Sequence, residues 1–136
     1  MIVFLDTNIV IDHLQKRQPF FQSGKMLLEE AVKQEHELIV AANSIDNIYY
    51  ILRKDFPIQT VLKGIEEFLT IATVASVDGT VIRKALKSGW KDLEDAIQYY
   101  SAIEAGANLI VTRDVKGYEE QRVKVVSPED ALLLIK

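Results

Sequence analysis

The sequence contains no cysteine and only two histidines, His13 and His36, in 136 residues. Without cysteine there is no disulfide framework and no thiolate-bound zinc, so any metal site must consist mainly of oxygen ligands. Oxygen ligands favour magnesium or manganese. Neither histidine has a partner at ligand spacing, and we therefore expect both side chains to be solvated.

Long apolar runs are also missing. No stretch approaches the roughly 20 residues needed to cross a bilayer, and the first residues lack the features of a secretion signal. We therefore expect a cytoplasmic protein without membrane contact. The length and the hydrophobic content of 49% predict a single domain over residues 1–136. The formal net charge of -4 argues against binding nucleic acid through bulk attraction, although a local basic rim is compatible with it.

The first strand-like segment ends at an acid. Residues Ile2–Leu5 are uninterrupted apolar residues, as expected of a parallel strand covered by helices on both faces. Asp6 follows at the carboxyl end of this strand, where open α/β sheets bind their ligands. Asp6 would equally suit the N-cap of a helix that begins near Asn8. From these residues alone, both interpretations stay open.

A similar arrangement recurs later in the chain. Residues Leu109–Thr112 predict a fourth strand, and Asp114 follows it. Before that strand, Asp92 is expected to cap a helix that carries Asp95 in its first turn and ends at Gly106. The helix dipole stabilises acids in a first turn whatever the protein does. Asp95 taken alone is therefore weak evidence for a site.

The remaining segments continue an alternation of apolar strands and amphipathic helices, which predicts an α/β fold. Further strands are predicted at residues 38–42, 71–77 and 124–126. Between the first two of these, Asn43 and Ser44 are expected to cap the helix that follows. No internal repeat or linker interrupts the pattern.

Together these segments resemble the PIN domain family, and most closely the toxin-like ribonucleases of bacterial toxin–antitoxin pairs. The resemblance rests on Leu-Asp-Thr-Asn at 5–8, Asp-Ala-Ile at 95–97 and Thr-Arg-Asp at 112–114. It extends from about residue 2 to residue 130. It implies a three-layer α/β/α sandwich around a parallel sheet with the strand order 3-2-1-4-5.

The resemblance also implies a site and an activity. The catalytic and metal-binding acids would be Asp6, Asp95 and Asp114, holding Mg or Mn for the hydrolysis of RNA. Polar residues that match the family's supporting positions are Asn8, Ser44, Asn47 and Thr112. Contacts with the RNA backbone are expected from Arg113, Lys91 and Lys116. The implied partners are an antitoxin protein and a second copy of the chain in a homodimer.

One position departs from the family pattern. In the helix that follows the second strand, family members usually carry a glutamate about one turn after a serine or threonine. This chain has Asn47 at that position. The neighbouring Asp46 is rotated by about 100° around the helix axis and cannot simply replace it. An alternative function is therefore a catalytically silent domain that binds RNA or protein. A phosphatase with an aspartyl nucleophile would need a second aspartate where the chain has Asn8.

Overall fold

The computed structural model describes all 136 residues as five strands and seven α-helices. The strands are β1 (Ile2–Leu5), β2 (Glu37–Ala41), β3 (Ala72–Ala75), β4 (Leu109–Val111) and β5 (Lys124–Val126). The helices are α1 (Thr7–Gln15), α2 (Phe21–Lys33), α3 (Ala42–Leu52), α4 (Ile58–Phe68), α5 (Gly79–Lys87), α6 (Leu93–Glu104) and α7 (Pro128–Ile135). A one-turn 3₁₀ helix, Val115–Gly117, follows β4. No helix is long and apolar enough to cross a membrane.

The five strands form one parallel sheet in the order β3-β2-β1-β4-β5, which confirms the predicted topology. Successive residues of β1 point to opposite faces, so Val3 and Phe4 enter different apolar cores. Helices α1–α4 and α7 contribute to the first core, whereas α5 and α6 contribute to the second. The predicted three-layer sandwich is therefore confirmed.

The carboxyl ends of β1 and β4 lie side by side at one edge of the sheet. Val3, Phe4 and Leu5 pair with residues 109–111 of β4, and the Asp6 amide then donates to the Val111 carbonyl at 2.9 Å. With this register, β1 and β4 leave the sheet at the same level. The acids that follow the two strands consequently meet at a single edge.

The prediction that Asn43 and Ser44 cap the helix after β2 was wrong. Helix α3 begins directly at Ala42, with Ala41 in the cap position and no side-chain cap. Ser44 is already inside the first turn and fully buried, and its hydroxyl bonds to the Thr7 hydroxyl at 2.7 Å instead of capping the backbone. The reason is that β2 passes into α3 without an intervening loop.

The histidines are not fully solvated either. His13 is half-buried, with its ring centroid 5.8 Å from that of Phe21 and 6.0 Å from that of Phe68. Its Nδ1 is buried without a hydrogen-bond partner. His36 links the Met1 amino group and the Ile135 carbonyl, each at 2.9 Å. Aromatic packing and tertiary hydrogen bonds thus replace the expected hydration.

Candidate active site

Asp6 is a buried carboxylate held by several donors. Only 4% of the residue is exposed. Its Oδ1 accepts from the Asn8 amide at 3.1 Å, and its Oδ2 accepts from the hydroxyls of Thr112 at 3.0 Å and Tyr118 at 2.8 Å. Burial raises the pKa of Asp6 above its ordinary value, although these donors oppose that rise. Asp6 does cap α1, and its other contacts extend beyond what a cap requires.

Thr112 connects Asp6 to the other strand end. Its hydroxyl donates to Asp6 and accepts from the Asn8 side-chain amide at 3.3 Å and the Asp114 backbone amide at 3.0 Å. A hydroxyl has one proton and two lone pairs, so these three contacts use its full capacity. The predicted supporting residues Asn8 and Thr112 are therefore bonded to each other and fix the neighbouring backbone.

Asp95 and Asp114 face the same point from different elements. Asp92 caps α6 by accepting from the Asp95 amide at 3.0 Å, and Asp114 accepts from the Gly117 amide at 3.2 Å. A Cβ on Gly117 would lie 2.5 Å from Asp114 Oδ2 and 3.0 Å from Asp95 Oδ2. The two carboxylate oxygens are thus no farther apart than the sum of these distances. Glycine at 117 leaves the space between them open.

The charges of the three acids act on one another. Burial and then the charge of Asp6 raise the pKa of Asp95 from 3.8 to about 7, with Asp114 contributing further. Nevertheless, no group of three or more acidic or histidine side chains is arranged closely enough to hold a metal ion as it stands. Asp6 and Asp114 are each directed by local donors. For all three carboxylates to coordinate one metal ion, their side chains would therefore have to rearrange.

The donor set fits a hard divalent cation. Asp6 Oδ2 accepts two hydrogen bonds, whereas Oδ1 accepts one from Asn8 and has a further acceptor position. The facing Oδ2 atoms of Asp95 and Asp114 border the open space beside Gly117. Mg and Mn prefer such oxygen ligands. These three residues could hold the ion, with Asp6 contributing through Oδ1.

Three residues near these acids were not identified from the sequence. Tyr118 bonds to Asp6, Gln98 accepts from the Thr7 amide at 3.0 Å through its Oε1, and Glu94 is close enough for its charge to raise the pKa of Asp95. Gln98 carried a signal, because a polar residue three positions after Asp95 shares its helix face. Tyr118 carried none, since only the 3₁₀ turn brings it to Asp6.

The predicted basic residues have different environments. Arg113 pairs with the buried Asp12, with Nε 2.5 Å from a carboxylate oxygen, and its guanidinium carbon lies 4.0 Å from the Phe20 ring centroid. Lys91 and Lys116 are exposed. Arg113 is thus engaged in the protein's own packing, while the two lysines are accessible.

The fold and site define an α/β domain with acids gathered at the carboxyl edge of a parallel sheet. The family model described as PIN domain matches residues 2–116, which is most of the chain. The chain therefore belongs to the PIN domain family, as the sequence motifs indicated.

Individual proteins are similar over nearly the full length. Ribonuclease VapC1 of Aquifex aeolicus (strain VF5) is 25% identical over 133 residues, spanning 94% of this chain and 91% of that protein. VapBC2 from Rickettsia felis, solved with a DNA fragment from its promoter, gives a TM-score of 0.72 at 18% identity, covering 93% of this chain and 98% of the matched chain. VapBC-1 from nontypeable Haemophilus influenzae gives the same TM-score and identity, with coverages of 94% and 98%. The two structures establish a shared fold.

Proposed function

We propose that this protein is a metal-dependent endoribonuclease and the toxin of a toxin–antitoxin pair. The observation that carries the proposal is that the carboxylates of Asp95 and Asp114 lie on either side of the space beside Gly117. The charge of the buried Asp6 also raises the pKa of Asp95. Family membership and the similarity to a protein named ribonuclease VapC1 support it. Phosphodiester hydrolysis is chemistry that clustered carboxylates of this kind serve, because they bind divalent ions.

Each acid has a role in this proposal. Asp6, Asp95 and Asp114 would hold Mg or Mn, and the bound ion would activate water and compensate charge on the phosphate. Asp95 could alternatively hold a water bound to the ion and act as its base, because its carboxylate borders the same open space as Asp114. Asn8 and Thr112 keep Asp6 and the Asp114 backbone in register. The exposed Lys91 and Lys116 would contact the RNA backbone.

The proposed protein partner is an antitoxin. The structures from Rickettsia felis and Haemophilus influenzae are of VapBC, and one similar structure from Klebsiella pneumoniae is described as a toxin–antitoxin complex. A homodimer is proposed on family grounds, and a cytoplasmic location on the proposed RNA substrate. Exposed apolar side chains on α3 and α4, such as Ile51 and Leu62, are compatible with partner contacts.

A catalytically silent RNA- or protein-binding domain is the second candidate. It is favoured by Asn47, which replaces the glutamate usual at this helix position, and by the absence of a ready-made group of three metal ligands. In that case the acids would be vestigial and the exposed lysines would carry binding. The two candidates differ in one property, which is RNA cleavage.

Cleavage of mixed cellular RNA distinguishes them. We expect the wild-type protein to cleave RNA with Mn but not after chelation, and Asp6→Asn to be inactive. The variant should fold normally, because asparagine is also a good N-cap. RNA binding without cleavage by the wild-type protein would favour the silent domain. Equal activity of a cleanly purified Asp6→Asn protein would show that Asp6 is only a cap.

A further inference from the structure

We propose that the cavity beside Arg113 binds one unpaired base of the RNA, and that guanine is the base it prefers. The assignment rests on the ribonuclease function proposed above and adds a specificity site to it. The cavity has a volume of about 200 Å³. Pockets for drug-sized ligands have roughly 300–1,000 Å³. The space therefore suits a single small group of a larger ligand.

The cavity lies at the same carboxyl edge of the sheet as the acids. Arg113 directly precedes Asp114, and its backbone amide donates to Asn8 Oδ1 at 3.3 Å. The Asn8 backbone amide in turn donates to Asp6 Oδ1 at 3.1 Å. The other walls come from α1, the start of α2 and the start of α7. A base bound here would therefore belong to a nucleotide near the phosphate that faces the acids.

One wall of the cavity is a fixed guanidinium. Arg113 donates from Nε and Nη2 to the two carboxylate oxygens of Asp12, at 2.5 and 3.3 Å. Asp12 is 4% exposed, and this bidentate pair holds the guanidinium in one orientation. A guanidinium has five N–H groups, of which Asp12 uses two. The remaining three are available to a ligand.

An aromatic surface adjoins this guanidinium. The Phe20 ring centroid lies 4.0 Å from the guanidinium carbon of Arg113, and Phe20 remains 36% exposed. Unpaired RNA bases are recognised by stacking on aromatic side chains or on arginine guanidinium planes. Every base has a face that can stack, so this surface contributes affinity without selecting the base.

The acceptor in the cavity is Glu129. This exposed residue in the first turn of α7 lines the same cavity as Arg113, and a carboxylate can only accept hydrogen bonds. A backbone phosphate has acceptors alone, and the negative charges of Glu129 and Asp12 would repel it. A group with both acceptors and donors fits these walls. The cavity therefore favours a base over a phosphate.

The donors of Arg113 select among the bases. Guanine presents two adjacent acceptors, O6 and N7, which arginine binds bidentately. Adenine and cytosine present a donor on the corresponding edge, and uracil has a single carbonyl there. Guanine also has an N2 amino group, which can donate to the Glu129 carboxylate. The combination of Arg113 and Glu129 is thus complementary to guanine.

NMR titration of the isotope-labelled, metal-free protein with the four ribonucleoside monophosphates tests this assignment. GMP should shift the Arg113 Nε signal and bind about 10-fold more tightly than AMP, CMP or UMP, as expected of one bidentate base contact. Glu129→Ala should abolish this preference. Asp130→Ala is the matched control, because Asp130 is the next acid of the same helical turn but does not line the cavity.

A second pair of variants tests the stacking surface. Phe20→Leu should weaken the binding of all four nucleotides by about 10-fold, because the aromatic face serves every base. Phe56→Leu is the control, since Phe56 is 37% exposed and lies outside this cavity. Circular dichroism checks that all four variants are folded.

The outcomes separate the base site from the function on which it rests. Tighter GMP binding that is lost in Glu129→Ala and kept in Asp130→Ala supports the site. Equal binding of the four nucleotides, or a GMP preference that survives in folded Glu129→Ala, overturns it. Equal effects of Phe20→Leu and Phe56→Leu overturn the stacking surface. A protein that prefers GMP but cleaves no RNA retains the base site and contradicts the nuclease function.

Discussion

The Tyr118 hydroxyl donates a 2.8 Å hydrogen bond to Asp6 Oδ2, although the two residues are 112 positions apart. The 3₁₀ helix Val115–Gly117 makes this contact possible, because it turns the chain back over the carboxyl edge immediately after β4. Tyr118 is itself 3% exposed. The buried carboxylate therefore depends on a residue beyond the strand-end motifs.

Tyr118→Phe removes this hydroxyl and keeps the ring. We expect a loss of about 1–3 kcal/mol in the free energy of unfolding, because a buried charged acceptor loses a donor. Mn binding should weaken as well, since the pKa of Asp6 rises further. Urea unfolding and calorimetry measure the two effects. Tyr100→Phe is the control, because Tyr100 is also buried but does not bond to Asp6. Equal losses in both variants would contradict a specific role for Tyr118.

Gly117→Ala tests the open space between Asp95 and Asp114. The added methyl carbon would lie 2.5 Å from Asp114 Oδ2, so that carboxylate must move. We expect Mn affinity and RNA cleavage to fall together. Gly24→Ala, in which the new carbon meets nothing within 4 Å, should leave both unchanged. Normal Mn affinity in Gly117→Ala would show that the space is not used.

Asp95 should make the stability of the metal-free protein depend on pH. Its pKa is 3.8 in the ordinary state and about 7 in the fold, so between these values the folded state retains a proton that the unfolded state has released. Stability therefore falls as pH rises across this window, and the loss is complete above it. Asp95→Asn should raise Tm most above about pH 7 and least below about pH 4. A gain independent of pH would contradict the raised pKa.

Arg113 should matter for folding as well as for any RNA contact. Arg113→Ala leaves Asp12 buried, with its side chain 5% exposed and Arg17 Nε 3.9 Å away as the remaining cation. We expect a loss of about 1–3 kcal/mol in the free energy of unfolding, because the buried Asp12 carboxylate loses its nearest charged donor. Lys116→Ala, at an exposed position, should change stability little. Urea unfolding of both variants checks this, and equal stability would place Arg113 among solvated surface charges.

The sequence was sufficient to predict the sheet and the first set of acids. Apolar strands such as Ile2–Leu5 and Leu109–Val111 are recognisable because both their faces are buried. The carboxyl edge of a parallel sheet then brings the acids that follow two strands near each other. That argument needs only periodicity and topology. It places Asp6 and Asp114 without any knowledge of side-chain contacts.

Contacts between distant segments could not be predicted in the same way. Ser44 looks like a cap in sequence, but its hydroxyl reaches Thr7 because β2 continues directly into α3. Arg113 looks like a free cation, but it pairs with Asp12 on α1. Each depends on packing between elements that local patterns do not record.

The central claim is that Asp6, Asp95 and Asp114 hold one divalent ion. A crystal structure of the protein grown with Mn, with anomalous scattering measured at the Mn absorption edge, tests it most directly. The account predicts one strong anomalous peak within bonding distance of carboxylate oxygens of these three residues, including Asp6 Oδ1. An Mn-soaked crystal with no peak at this edge of the sheet, or with a peak bound by other residues, would contradict it.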